Sequence, residues 1–174
     1  ARASRAPLHG PCAPVSACGL CVAPAGAGLA VFVLSLFPWA LAGSANVYYA
    51  LGRSALDLTL ESLPPRTSLA VSTSMADHPA MQQGVAEMVM ELEALEPLID
   101  RTAFDWSTGV AHGAAWPSKI VTCKHRAAEG VGKVVDTALE LSGGAGMFKK
   151  SELERLFRDA RAGLIARLGV GYRA

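Results

Sequence analysis

The chain predicts an all-α fold, an antiparallel up-down four-helix bundle. Three observations lead there. Apolar residues recur at intervals of three and four in several long segments, as on one face of a helix. Those segments are bounded by residues that start or stop helices. The composition is 51% apolar but only 6% aromatic, and its Ala, Leu, Val and Gly suit closely packed helices better than an aromatic-rich sheet. No segment alternates polar and apolar residues as a half-buried strand does. With 174 residues, the chain is long enough for one domain with a sizeable core.

The elements follow in order. Residues 1–35 mix Arg2, Arg5, Pro7, Pro11, Pro14 and Pro24 with small residues and hold no sustained period, so they read as an irregular Pro-Gly-Cys-rich segment. The helical domain is expected over residues 36–166, with 167–174 as a tail. Its first helix runs from about Trp39, after the interruption at Pro38, to Leu63, where Pro64 and Pro65 end it. The polar connection from Pro64 to Ala76 then crosses one end of the bundle. In "DHP", Asp77 or His78 can cap the second helix, with Pro79 in its first turn. Met81, Val85, Met88, Leu92, Leu95 and Ile99 form its stripe, and Gln82, Glu87, Glu91 and Glu96 lie off it. Met90 is counted with Met81 and Met88 as core, and Pro97 is expected to kink or break the helix. The third helix starts near Pro117, buries Ile120, Ala127, Val131, Val134, Ala138 and Leu141, leaves Lys124 and Lys133 to water or ligand, and stops at Gly143. "SELE", Ser151 to Glu154, reads as a capping box for the fourth, whose stripe is Leu153, Phe157, Ala160 and Leu164.

Charge and cysteine content exclude several functions. The formal net charge is +1, from 16 basic and 15 acidic residues, so there is no general pull toward nucleic acid or anionic lipid, and no basic aromatic stripe. Residues 7–52 carry no Asp, Glu, Lys or Arg. Within them Leu29 to Gly43 raises the alternatives of membrane association or export, but Pro38, Gly43, Ser44 and Asn46 dilute it. A buried helix in a cytoplasmic protein is the expectation. Cys12, Cys18 and Cys21 cluster in the irregular segment and Cys123 stands alone. "CGLC" has redox or zinc half-site spacing but no second half, and His78, His112 and His125 lack ligand spacing. No metal site and no structural disulfide are expected.

"GGAG", Gly143 to Gly146, lies between two helices and precedes a lysine pair. It follows a helix, not a strand, and has neither GxGxxG spacing nor the Lys-Ser/Thr of a Walker loop. From the residues alone a helix stop is favoured, with a phosphate cradle as the alternative.

The longer stretch "ELSGGAGMFKKSELERLFRDAR" resembles a signature of the acyl-CoA dehydrogenase family. Glu140 stands three before the pair Gly143 and Gly144, Gly146 and Met147 follow, and Arg155 and Asp159 occupy later turns. "PPRTS", "HPAMQQGVAEM" and "SKIVTCKHRAAEGV" resemble the end of the first C-terminal helix, the start of the second and the third. The match covers about Leu36 to Leu164. The resemblance implies the C-terminal helical domain of a flavoprotein that removes hydrogens from the α and β carbons of an acyl-CoA thioester. It also implies FAD shared between subunits of a homodimer or homotetramer, with Arg66 at the flavin diphosphate and Glu140, Gly143 and Gly144 lining the adenosine end. Arg66 suits phosphate, because a planar guanidinium donates in a fork.

One expected group is missing. Proton abstraction beside a thioester needs a positioned carboxylate. Relatives place a Glu a few residues after "RDA", where this chain has Arg167, or just before the first bundle helix, where it is uncharged. No residue is therefore assigned as catalytic base. The expectation is a fragment without the family's N-terminal and middle β domains, inactive alone. A same-fold flavin-dependent monooxygenase and a non-catalytic helical oligomerisation module are the alternatives.

Overall fold

The computed structural model describes residues 28–68 and 71–168, and side-chain surroundings for 36–67 and 74–163. The unmatched beginning and "CGLC" lie outside the described residues. The chain divides into two compact units, residues 1–37 and 38–174, and the second is the bundle. Four helices build the fold: α1 (Gly28–Ser62), α2 (Pro79–Ser107), α3 (Trp116–Ser142) and α4 (Glu152–Leu168).

Cross-helix neighbours give the up-down course. A Cβ placed on Gly84, early in α2, would lie 2.9 Å from Leu141 Cδ2, late in α3. Lys133 of α3 pairs with Glu91 of α2 at 3.2 Å, and the two helices are therefore antiparallel. The end of α1 meets the end of α3, since Arg66 reaches the Leu141 carbonyl. Gly163, late in α4, faces Tyr48, early in the bundle's part of α1.

The core contains Ala45, Ala55, Leu56, Met88, Leu92, Leu95, Ile99, Cys123, Val131, Val134, Val135, Leu141, Leu153 and Leu156, drawn from all four helices. All six residues assigned to the α3 stripe are buried. Small residues set the helix spacing: a Cβ on Gly52 would come within 2.9 Å of Leu92 Cδ2 and 3.1 Å of Val131 Cγ2. Each large aliphatic side chain in this cluster contributes about 1.5–3 kcal/mol by leaving water.

Several local features differ from the sequence expectations. α1 starts at Gly28 and passes through Pro38, and α2 runs unbroken through Pro97 to Ser107. A proline removes one amide and crowds the carbonyl four residues back, which α2 tolerates because its stripe is buried on both sides of Pro97. Met90 is 62% exposed and is not core, because it stands two residues beyond Met88, on the opposite side of the helix. The polar connection contains an antiparallel ribbon, β1 (Thr67–Ser68) and β2 (Val71–Ser74), and a 3-10 turn at Met75–Asp77. His78, not Asp77, caps α2, with Nδ1 accepting from the Ala80 amide at 3.3 Å.

The expected capping box on α4 does not close through its carboxylate. Glu154 Oε1 pairs with Arg158 Nε at 2.8 Å, and Oε2 is buried with no hydrogen-bond partner among the described residues. Lys133 is taken by Glu91, and Lys124 lies 5.8 Å from the Tyr48 ring centre. Neither lysine is left purely to water. Leu156 is buried, although the stripe assigned to α4 omitted it, and the Leu164 side chain falls outside the described residues.

Candidate nucleotide-binding site

The site is built where α1 and α3 both end. After Pro64 and Pro65 stop α1, Arg66 is fixed by its backbone: its amide donates to the Leu63 carbonyl at 3.2 Å and its carbonyl accepts from Met75 at 2.9 Å. Arg66 is thus held between the helix end and the far side of the ribbon. Its guanidinium crosses to α3 and donates through Nη1 to the Leu141 carbonyl at 3.0 Å. The last carbonyls of a helix lack internal partners and carry the negative end of its dipole, so a cation there is favoured twice.

The glycine loop begins against this arginine. Gly143 has φ 62° and ψ −153°, a conformation essentially restricted to glycine. Its amide closes on the Glu140 carbonyl, ending α3, and residues Gly143–Met147 form a short 3-10 turn. A Cβ on Gly143 would lie 3.6 Å from Arg66 Nη2. The helix stop expected from the residues is therefore real, and it occurs beside the cation that a phosphate would need.

Ser142 and Gly146 shape the loop. Ser142 Oγ donates to the Leu139 carbonyl at 2.7 Å. Gly146 is buried, and any Cβ there would collide with that hydroxyl. A groove of about 220 Å³ opens between Arg66, Ser62, Ser142, Ala145, Gly146 and Ser151. Neither Ser142 nor Ser62 stood out in the sequence. A serine in a helix's last turn commonly bonds to a local carbonyl, and its distant neighbour is not encoded in its spacing.

The four sequence-assigned residues are not equivalent. The structure brings Arg66 and Gly143 together. Gly144 is exposed with open space around its Cα, and Glu140 is exposed one turn earlier. Met147 and Phe148 project from the loop with 73% and 69% of their surface exposed. Among the described residues no cluster of His, Cys, Asp or Glu could hold a metal ion. Burial raises the Cys123 thiol above its ordinary value, so that thiol is a packing group rather than a nucleophile.

A larger groove of about 500 Å³ between α1 and α4 is lined by Asp57, Glu61, Glu152 and Arg155, and it shares Leu58 and Glu152 with the smaller one.

Comparison with known proteins agrees with the fold. Residues 43–165 match the family described as "Acyl-CoA dehydrogenase, C-terminal domain". The chain is 29% identical over 121 residues to 3-sulfinopropanoyl-CoA desulfinase of Paraburkholderia xenovorans (strain LB400), an alignment covering 68% of this chain and 29% of that protein. Butyryl-CoA dehydrogenase from Megasphaera elsdenii shares the fold at TM-score 0.71 and 20% identity, over 79% of this chain and 34% of that one. An acyl-CoA dehydrogenase from Geobacillus kaustophilus does so at TM-score 0.71 and 21% identity, over 80% and 35%. The chain thus spans about a third of the length of these relatives. From the glycine loop, the four-helix course and the match over residues 43–165, this chain belongs to the family of acyl-CoA dehydrogenase C-terminal domains.

Proposed function

We propose that this chain serves as the C-terminal part of an FAD-dependent oxidoreductase acting on acyl-CoA thioesters, and that it contributes both flavin contacts and assembly contacts. The observation that carries the reading is the seating of Arg66 on the Leu141 carbonyl, 3.0 Å away, beside Gly143. One guanidinium nitrogen satisfies the end of α3, and Arg66 also lines the small groove. A diphosphate placed there would meet charge-assisted donors. It would also meet a helix C-terminus whose negative end would otherwise repel it; Arg66 offsets that repulsion.

The residues around the loop fit FAD in kind. Arg66 would hold the diphosphate, Gly143 and Gly144 would let the ribose approach the backbone, and Glu140 would accept from a ribose hydroxyl. When bound, the flavin supplies the two-electron chemistry. The chain's own part is to bind and orient it. Assembly as a homodimer or homotetramer would complete the site, because the loop is open on its outer side. Val89, Met90 and Val121 are exposed apolar side chains on α2 and α3, suited to such contacts.

The experiment is a titration of FAD into the purified chain, read by flavin fluorescence, beside Arg66→Ala. Saturable binding that weakens at least tenfold in the variant, about 1.4 kcal/mol, is the expected result. Equal binding by both proteins would overturn the assignment of Arg66.

A second reading rests on the missing base. Between Ala160 and Leu168 the charged residues are Arg161 and Arg167 and there is no carboxylate. This favours chemistry on a CoA thioester that needs no α-proton abstraction, and one relative is named as a desulfinase of such a thioester. Sulfite release from 3-sulfinopropanoyl-CoA, against flavin bleaching by a saturated acyl-CoA, separates the two in an enzyme assembled with this chain.

A further inference from the structure

Two hydroxyls line the groove beside Arg66, and both have already given their protons away. Ser62 and Ser142 are the last residues of α1 and α3. Ser62 Oγ donates to the Thr59 carbonyl at 2.9 Å. Ser142 Oγ donates to the Leu139 carbonyl at 2.7 Å, and its next neighbour, 3.4 Å away, is the Gly143 carbonyl, another acceptor. A serine hydroxyl has one proton to donate and two lone pairs to accept with, so each oxygen is left with acceptor positions only. Among the described residues neither accepts a hydrogen bond in return.

The rest of the lining has the same character. Glu152, the first residue of α4, brings a carboxylate that is paired with Arg155. Among the described residues that line the groove, Arg66 is the one cation. Its side chains therefore set one strong donor among oxygen acceptors in a space of about 220 Å³. Gly146 protects this arrangement, because a Cβ there would collide with Ser142 Oγ and displace it.

That combination selects among anions. Inorganic phosphate would satisfy Arg66 and then face oxygens that repel it. A phosphate ester of a sugar is better matched, because its anion meets the guanidinium while its hydroxyls donate to the serine oxygens. Glu140, to which the resemblance gives the ribose, does not line the groove.

We propose that Ser142 and Ser62 accept hydrogen bonds from the ribose hydroxyls of an adenosine diphosphate group whose phosphates are held by Arg66. The inference rests on the flavin reading above and deepens it, making the site selective for a ribose beside the diphosphate.

In the test, FAD bound to the whole chain is displaced by ADP or by 2′,3′-dideoxy-ADP and followed by flavin fluorescence. The dideoxy compound should compete about tenfold less well, having lost both donors. Ser142→Ala and Ser62→Ala should each reduce that preference to about threefold, and the double variant should abolish it. Ser118→Ala removes a similar hydroxyl from the Ala115 carbonyl at the other end of α3 and should leave the preference unchanged. Circular dichroism checks each fold, and Ser62→Ala decides the case alone if Ser142→Ala unfolds. A ratio between two ligands is the readout, which a general loosening of the loop would not move. Equal competition by the two nucleotides, or a preference that survives the serine changes, would overturn the proposal while leaving FAD binding and its dependence on Arg66 in place. Coenzyme A carries a phosphate on its ribose 3′ oxygen and should compete less well than ADP; competition as strong as that of ADP would assign the groove to the thioester's nucleotide and overturn the flavin assignment. Absence of FAD binding would overturn the flavin reading and this proposal with it.

Discussion

Arg66 and Gly143, which meet where α1 and α3 end, perform separate tasks. Arg66 satisfies a helix-end carbonyl at 3.0 Å, and removing it should cost about 1–2 kcal/mol of stability even without ligand. Chemical denaturation of Arg66→Ala measures that loss, and FAD titration measures the additional one. Gly143 is constrained by its backbone. At φ 62° and ψ −153°, Gly143→Ala should cost roughly 1–3 kcal/mol, whereas Gly144→Ala, with nothing within 4 Å of its new Cβ, should be nearly neutral. Equal melting temperatures for the two variants would contradict the strain at Gly143. The glycines were legible as a helix stop because positive φ selects glycine locally. Arg66 could not be placed from spacing, since its partner carbonyl is 75 positions away, with the ribbon, α2 and most of α3 between them.

At the scale of elements, the turn between α2 and α3 is held by a polar cluster that the periodicity did not reveal. Asp105 is 4% exposed. It accepts from His112 Nε2 at 2.7 Å and faces Arg101 Nε at 2.9 Å, while Trp116 stacks edge-on against both Trp106 and His112. The His112 hydrogen bond, and after it the Arg101 charge, holds the Asp105 carboxyl below its usual range despite burial, which acts the other way. A depressed folded pKa stabilises above the unfolded value of about 3.9 and ceases to do so as pH falls through the lower folded value. Asp105→Asn should therefore melt below the parent at neutral pH, with the gap narrowing below about pH 4. A gap that stayed constant down to pH 2 would show that the carboxylate's charge contributes nothing. The same scale explains the prolines. Their local rule is sound, but α2 buries Met88, Leu92, Leu95 and Ile99, the last of them beyond Pro97, so the stripe on both sides holds the helix together.

The whole molecule repeats this division between what periodicity encodes and what only packing reveals. Six buried residues of α3 were readable from its stripe, but Cys123, Ala128, Gly130, Gly132 and Val135 are buried too, because α3 packs against both α2 and α4 and buries more than the one face that the period marks. Outer helices are less decided: Met90 shares the chemistry of Met88 and lies on the opposite side of α2. That exposed methionine, with Val89 and Val121, leaves apolar surface among charges, Glu87 and Glu93 standing three residues to either side of Met90 on the same face of α2. Scattered singly, such residues need no explanation; on neighbouring helices they suit an interface between copies. If they form one, Met90→Glu together with Val121→Glu should shift the sedimenting species toward monomer while leaving helix content unchanged, because neither side chain supports the core. The Arg66 loop would remain intact in that monomer, so a flavin site completed across subunits should lose affinity along with assembly. FAD binding that survived full dissociation would show that one copy of the bundle holds the cofactor unaided.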